Sequence, residues 1–336
     1  MRRSMPRTSL TVAMLLAVAR IAGSPGTTEL AAPPLAVALH HTLEVSPDWV
    51  HLLAFLPGNR LLAASWREAR IWDTEAWVCI ARLERDGGPG GVIGVSPDGS
   101  ILLIHTSAGK VEVWDAVSLE RRSTLCPLEG SHRPRTAFSP DGLLVAIKTQ
   151  SHDAEIWDLA SGRLVYALPG DTSSLFSLAF SPDGRLLAAG TGRIEGTANA
   201  CVVRIWDVAT GSLVVTVPAP AIANALDLDF APDGSTLTAS GTYGILTFST
   251  ATWAQIQDIA GHRAWSHGTA ISPDGDLLAS AGDEGGVRFW SPESGVLLAE
   301  FPLPDKVSAV AFSGDGTLLA CAASNGSIYI LGLRGR

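Results

Sequence analysis

The sequence has few charged residues and no basic run beyond its first seven residues. Only 17% of its 336 residues are Asp, Glu, Lys or Arg, and the formal net charge is -9. Binding to a phosphate backbone requires a basic surface, so this composition argues against a nucleic-acid partner. The four cysteines form no CxxC pair and have no histidine at metal-ligand spacing. We interpret Cys79, Cys126, Cys201 and Cys321 as small buried hydrophobic residues rather than as a metal site or a set of disulfides.

Motifs for catalysis and cofactor binding are also missing from the sequence. There is no HExxH or His-Cys spacing, no GxSxG elbow, no P-loop and no dinucleotide-binding fingerprint. The glycine-rich stretch Gly87-Gly88-Pro89-Gly90-Gly91 is interrupted by proline, so we interpret it as a flexible loop rather than a phosphate cradle. We therefore predict no catalytic residues, no metal and no cofactor.

The apolar run near the N-terminus is too short to cross a bilayer as a helix. Leu10–Ala19 follows several arginines and precedes small residues and a Gly-Ser-Pro-Gly segment, which is the pattern of a signal peptide. Two features argue against export: Arg20 directly follows the possible cleavage site, and the cysteines are free. Because the signal-peptide pattern is otherwise present, we nevertheless predict a leader at 1–23, a linker at 24–34 and an exported, periplasmic protein rather than a cytoplasmic one.

What the chain does contain is a repeat. A Ser-Pro-Asp-Gly turn is followed by a tryptophan in four places, and related units fill the spaces between them. An aromatic or branched residue recurs 40 to 50 residues apart at Phe55, Val95, Phe138, Phe180, Phe230, Ile271 and Phe312. A second position keeps the same period at Trp72, Trp114, Trp157, Trp206, Phe248, Trp290 and Leu331.

Each unit has the pattern of four short strands. In the last unit, for example, an alternating strand at Val307–Phe312 is followed by a Ser-Gly-Asp-Gly turn, and two further strands are joined by Asn325-Gly326. Proline favours the second position of a type I turn, and glycine favours its end. The pattern therefore predicts short antiparallel strands joined by tight turns.

A period of about 42 residues with a Pro-Asp-Gly turn and a Trp-Asp pair resembles the WD-repeat (WD40) family of β-propellers, over residues 35–334. The resemblance implies an all-β, seven-bladed propeller with four antiparallel strands per blade. The last unit lacks a fourth strand, and we expect the strand at 35–39 to supply it and close the ring. The expected blade units are 48–86, 87–130, 131–170, 171–219, 220–262, 263–303 and 304–334.

The resemblance also implies a structural hydrogen-bonded set in blade six. Its members are His262, Ser280 and Trp290, with Glu284 or Asp283 as the acid. Trp72, Trp114, Trp157 and Trp206 take the same structural slot in other blades. The serine position is apolar in most other units, so we expect those blades to be held by apolar packing. The residues at that position are Ala64, Ile104, Ile147, Ala189, Ala239 and Cys321.

Function is indicated where units depart from the repeat. Residues 190–200 lengthen one turn by about seven residues, and the family resemblance places this turn on the face that binds partners. Aromatic and Arg side chains in such loops are typical hot spots. The alternative for Trp66 and Trp265 is packing over the blade edges. The partner-binding candidates are Trp66, Arg67, His132, Arg133, His152, Arg193, Glu195, Tyr243 and Trp265.

We therefore expect a non-catalytic scaffold that binds a protein or peptide through loops on one face, as a monomeric propeller within a complex. The alternative is a propeller enzyme or small-ligand sensor with a site at the mouth of the central channel. Asp227, Asp229, His51 and His267 are the polar residues that the innermost strands offer for such a site.

Overall fold

The computed structural model describes residues 35–44, 49–84, 91–106, 108–127, 135–148, 154–168, 175–192, 201–222, 224–242, 244–259, 261–262 and 265–335. The leader and linker predicted at 1–34 lie outside these ranges. Within them the chain forms 28 β-strands in seven sheets of four. This part of the chain contains no helix that is long and apolar enough to span a membrane.

The seven sheets are the blades of a propeller, and six of them consist of four strands that are consecutive in sequence. Blade one holds β2 (Leu52–Leu56), β3 (Arg60–Ala64), β4 (Glu68–Asp73) and β5 (Val78–Glu84). Blade two holds β6 (Val92–Val95), β7 (Ile101–His105), β8 (Lys110–Asp115) and β9 (Arg121–Pro127). Blade three holds β10 (Thr136–Phe138), β11 (Leu144–Lys148), β12 (Ala154–Asp158) and β13 (Arg163–Leu168).

Blade four holds β14 (Leu175–Phe180), β15 (Leu186–Thr191), β16 (Val202–Asp207) and β17 (Leu213–Pro218). Blade five holds β18 (Ala225–Phe230), β19 (Thr236–Gly241), β20 (Gly244–Ser249) and β21 (Gln255–Ile259). Blade six holds β22 (Ser266–Ile271), β23 (Leu278–Gly282), β24 (Val287–Trp290) and β25 (Leu297–Phe301). Blade seven holds β26 (Val307–Phe312), β27 (Leu318–Ala323), β28 (Ser327–Arg334) and the N-terminal strand β1 (Ala36–Glu44).

The two repeating positions of the sequence meet across each blade. In blade one, Phe55 is opposite Leu61 on the second strand, and Leu61 is opposite Trp72 on the third. The same triple occurs in blade six, where Ile271, Leu278 and Trp290 are aligned. The remaining five blades keep this register. The sequence period therefore reflects a cross-strand apolar layer that each blade repeats.

The Ser-Pro-Asp-Gly turns join the first strand of a blade to the second. In blade two the Ser96 hydroxyl donates to Asp98 at 2.5 Å, and Asp98 accepts the Ser100 N–H at 3.0 Å. Gly99 closes the turn with φ of 66°, a backbone conformation that favours glycine. The serine hydrogen bond lowers the pKa of Asp98. The acid of this motif therefore has a structural role within its own turn.

The ring is closed between the two ends of the described chain, as the sequence predicted. β1 runs antiparallel to β28, from Ala36 opposite Arg334 to Glu44 opposite Ser327. β1 is longer than the predicted strand at 35–39, because after a bulge at Leu39 it continues to pair with β28. Val37 and Leu43 on this strand are buried in two different core clusters. The closing strand thus joins blade seven to the packing of blade one.

Two details of the sequence analysis were wrong. Cys79 is exposed, because it lies near the start of an outermost strand, whereas Cys201 and Cys321 are buried as predicted. The strand register places Ala63, not Ala64, at the position equivalent to Ser280.

Removing β1 should destabilise the whole propeller. A chain that begins at Ser24 keeps β1, whereas a chain that begins at Glu44 exposes the edge of β28 and loses about five ladder hydrogen bonds of roughly 1 kcal/mol each, besides apolar burial. We expect the shorter chain to aggregate or to melt at least about 10 °C lower in a thermal scan. Equal melting temperatures would contradict closure by β1.

Candidate functional site

The first strands of neighbouring blades lie side by side around the ring, with β2 next to both β6 and β26, so they surround the central channel. Because the four strands of a blade are antiparallel, the turn between second and third strands and the connection to the next blade emerge on one face. We call this side the loop face. The opposite face carries the Ser-Asp turns. By this topology the three predicted partner-binding residues that the structure describes, Trp66, Arg67 and Trp265, belong to loops of the loop face.

Two of the predicted candidates lie on the loop face of blade one. Trp66 is half-buried and stacks on His51, with 4.0 Å between ring centroids and 11° between the planes. Trp66 also packs against the core cluster of blades two and three. Arg67, the next residue, is exposed. Trp66 therefore covers a blade edge, while Arg67 faces solvent.

A second group lies near the channel on the loop face of blade six. Trp265 is 44% exposed, and its ring lies 6.1 Å from that of His267. Trp49, which the sequence analysis did not select, is 40% exposed, and its ring meets that of His267 edge-on at a centroid distance of 5.7 Å. His267 Nε2 is 2.9 Å from Asp283, whose other oxygen is 3.1 Å from Lys306 Nζ.

The other candidates lie outside the described residues and remain predictions. They are His132, Arg133, His152, Arg193, Glu195 and Tyr243.

The predicted hydrogen-bonded set is present in blade six. His262 Nε2 and Trp290 Nε1 each lie 2.7 Å from the Ser280 hydroxyl. All three residues are buried. The Arg288 guanidinium lies 3.2 Å from His262 Nδ1 and can only donate, so Nδ1 accepts and Nε2 carries the proton given to Ser280. Burial, reinforced by Arg288, lowers the pKa of His262 to about 4.

Glu284, not Asp283, is the acid of this set. Its carboxylate lies 3.9 Å from His262 Nδ1 and forms a short ion pair with Arg288. Asp283 instead contacts His267 and Lys306 at the channel side of the same turn. The two adjacent acids therefore serve two different contacts, one within blade six and one between blades.

Blades two and three use a polar contact that the sequence analysis missed. The indole N–H of Trp114 donates to Glu112 at 3.0 Å, and that of Trp157 donates to Glu155 at 3.0 Å. The serine of blade six is replaced by isoleucine in both blades. The glutamate two residues before each tryptophan, on the same side of the strand, takes over its role as acceptor. These blades are therefore not held by apolar packing alone.

Two carboxylates of β18 fill the gap between blades five and six. Asp227 accepts the backbone N–H of Thr269 at 2.9 Å, and Asp229 accepts that of Ile271 at 2.7 Å. Burial raises the pKa of Asp227, and burial together with the nearby Asp227 raises the pKa of Asp229 to about 7. The carboxylates therefore satisfy an inner strand edge that no other strand covers.

Each of the seven blade junctions has a polar contact of this kind, in which a side chain of one blade binds the next blade. The contacts between blades one to four are His51 Nε2 with Val92 O (2.9 Å), Thr136 Oγ1 with Ile93 O (2.8 Å) and Lys148 Nζ with Leu175 O (2.6 Å). The contacts that complete the ring are Ser177 Oγ with Ala225 O (2.8 Å), Thr269 N with Asp227 (2.9 Å), Lys306 Nζ with Asp283 (3.1 Å) and Ser308 Oγ with Val50 O (2.5 Å).

The four polar residues considered for a channel-mouth site are all engaged in contacts between or within blades. Asp227 and Asp229 bind β22, His51 binds blade two, and His267 is held by Asp283. In the part of the chain that the structure describes, no three His, Cys, Asp or Glu residues are placed to hold a metal ion.

Comparison with known proteins agrees with this geometry. The family model "WD domain, G-beta repeat" matches residues 162–207, 253–291 and 295–330. The chain is 31% identical to WD repeat-containing protein SL1-17 of Schistosoma mansoni over 140 residues, which are 42% of this chain and 44% of that protein. It is 26% identical to Autophagy-related protein 16 of Arabidopsis thaliana over 280 residues, which are 78% of this chain and 51% of that protein.

The chain spans about half or less of the length of these curated relatives. The last two family matches do not coincide with single blades. The match at 253–291 begins before β21, the fourth strand of blade five, and ends at β24, the third strand of blade six; the match at 295–330 runs in the same way from β25 into β28. The same four-strand unit recurs seven times from β1 to β28, and β1 is the fourth strand that begins the first unit. The chain is therefore a seven-bladed β-propeller that contains repeats matching the WD domain, G-beta repeat family. Proteins of this class are typically platforms for protein interaction.

The Ser280 hydroxyl should stabilise blade six by more than its size suggests. Replacing Ser280 with alanine leaves the N–H groups of His262 and Trp290 buried without their acceptor, so we expect a loss of about 1–3 kcal/mol in urea unfolding. Ser294→Ala, on an exposed turn, is the matched control and should change stability by less than about 0.5 kcal/mol. A loss for Ser280→Ala no larger than for Ser294→Ala would show that the hydrogen bonds are unimportant.

The raised pKa of Asp229 makes a pH-dependent contribution to stability. In the native state Asp229 keeps its proton up to about pH 7, whereas the ordinary pKa of an aspartate is 3.8. The wild type therefore loses stability relative to Asp229→Asn as the pH rises from 3.8 to about 7. We expect the variant to gain about 1–3 kcal/mol over the wild type between pH 5 and pH 8, measured by urea unfolding. The exposed-site control Asp276→Asn should show no such trend; an identical trend in both variants would contradict the assignment.

Proposed function

We propose that this protein is a non-catalytic platform that binds a protein or peptide partner through the loop face. The observation that carries the proposal is the position of its exposed aromatic side chains. Among the described residues, the large aromatic side chains that are at least 40% exposed are Trp49 and Trp265, and both lie on the loop face. Exposed tryptophan is typical of interface hot spots, where it buries a large area at a small cost in conformational entropy.

The ring of inter-blade contacts supports the same proposal. Loops that are held by a rigid scaffold lose little conformational entropy when a partner binds, which favours recognition. The polar residues near the channel are engaged in contacts between or within blades, so they support the scaffold rather than a reaction.

Site-specific photocrosslinking tests which face meets the partner. A photoreactive phenylalanine analogue is placed at Arg67 on the loop face, and in a second variant at Val117, which is 76% exposed on the opposite face. In cells of the native host we expect protein adducts from position 67 and none from position 117. Adducts of equal yield at both positions, or at 117 alone, would overturn the proposal.

Shortening the long turn of blade four provides a second variant in the same experiment. Deletion of 193–199 leaves Thr191, whose hydroxyl is bonded to Val202 in the strand pairing, and leaves a turn as short as that of blade one. The melting temperature of the purified variant confirms its folding. We expect the adduct yield from position 67 to fall with this deletion.

A further inference from the structure

The exposed aromatic residues of the loop face form one continuous group that crosses the ring closure. Trp49 belongs to the entry of blade one, whereas Trp265 and His267 belong to blade six. The ring of His267 lies close to both indoles, with centroid distances of 5.7 Å to Trp49 and 6.1 Å to Trp265. We call these three residues the aromatic seam. It spans the top of blade seven, beside the channel.

Packing of the propeller does not account for the two tryptophans. Neither Trp49 nor Trp265 belongs to any of the hydrophobic core clusters formed by the described residues, and they stay 40% and 44% exposed. By contrast, Trp66 packs on a core cluster and Trp290 is buried. Two exposed indoles that both lie close to one held imidazole form an apolar surface with accessible aromatic rings, which is suited to contact with a second molecule.

The position of the imidazole is fixed by its contact with a carboxylate. His267 is held through Nε2 by Asp283, and Asp283 is also bound by Lys306 of blade seven. These contacts orient the ring that supports both indoles, and they balance the charge of Asp283 locally. The seam itself therefore offers aromatic faces rather than a free carboxylate.

The charge of the propeller indicates which partner fits these faces. Four of the 24 basic residues and one of the 33 acidic residues precede Leu35, which leaves 20 basic and 32 acidic residues and a formal net charge of -12 for 35–336. A cationic segment is attracted to such a surface over long range, and the face of tryptophan is the best aromatic partner for an arginine or lysine side chain.

We propose that the aromatic seam is the docking site for a cationic peptide segment of the partner, which places an arginine or lysine side chain against Trp49 and Trp265. This inference rests on the proposed function, because it names the chemistry of the partner that the loop face binds. The indoles supply the contact, and the imidazole of His267, which Asp283 holds in place, lies close to both of them.

NMR spectroscopy of the protein with 15N-labelled indole groups tests the selectivity directly. The chain has ten tryptophans, and the signals of Trp49 and Trp265 are assigned with single Trp→Phe variants. The probes are blocked Gly-Xaa-Gly tripeptides with arginine, lysine, leucine, proline or glutamate at the centre. We expect saturable shifts of the Trp49 and Trp265 signals with arginine and lysine only. The buried Trp290 indole, which is bonded to Ser280, should not shift and reports an intact fold.

Alanine variants measure the contribution of each ring. Trp49→Ala and Trp265→Ala should each weaken binding of the arginine probe about two- to fivefold at low salt, as expected for an exposed cation–π contact. Val117→Ala on the opposite face is the control and should bind as the wild type does. An unshifted Trp290 signal in each variant excludes misfolding as the cause.

Two results would overturn the inference. One is a shift of the seam signals by the leucine, proline or glutamate probe as large as that by arginine; the other is no shift with any probe. Neither result affects the proposed function, which the crosslinking yields at Arg67 and Val117 decide independently. Conversely, adducts at Val117 alone would remove the proposed function even if the seam bound the cationic probes.

Discussion

Every blade of this propeller depends on a neighbour at each side, so the structure exists only if the last blade meets the first. Pairing of β1 with β28 supplies that contact in the sheet, and the Ser308 hydroxyl supplies it at the channel by donating to Val50 O across 258 residues. Arg70 of blade one adds a third contact by donating to the Glu44 carbonyl at the end of β1. Closure joins the two ends of the array and leaves no blade with an uncovered face.

A second constraint follows from the ring. The first strand of each blade has a pairing partner on one side only, and its other edge carries N–H and C=O groups that face the channel. Six of the seven junctions meet this need with a side chain that binds a backbone group of the neighbouring blade, for example Thr136 between blades two and three and Asp227 between blades five and six. Polar residues in the inner strands are therefore parts of the scaffold. This explains why the channel-mouth residues that first suggested a site are bonded to protein groups.

The repeat was readable from sequence because each of its positions has one local cause. Phe55, Leu61 and Trp72 face one another across three adjacent strands, and this layer recurs in every blade. The hydrogen-bonded set of blade six was predictable from the family resemblance, because His262, Ser280 and Trp290 match its positions. Its acid was ambiguous, because Asp283 and Glu284 are adjacent in sequence and only the direction of each side chain separates their partners. The glutamate acceptors of blades two and three were missed, because an acid two residues before a tryptophan resembles an ordinary exposed strand residue.

Local pattern also could not reveal the candidate site. Trp49 occupies no repeating position, and its neighbour His267 lies more than two hundred residues later in the chain. The sequence alone determined the number of blades, the strands and their turns, because these depend on contacts between residues close in sequence or at a constant period. It also determined the need for an N-terminal closing strand, because the last unit lacks a fourth strand. Only the tertiary structure decided which aromatic rings stay exposed, which partners Asp283 and Glu284 contact, and where a loop of blade one meets blade six. These features depend on how the closed ring brings loops that are distant in sequence together at one end of the channel.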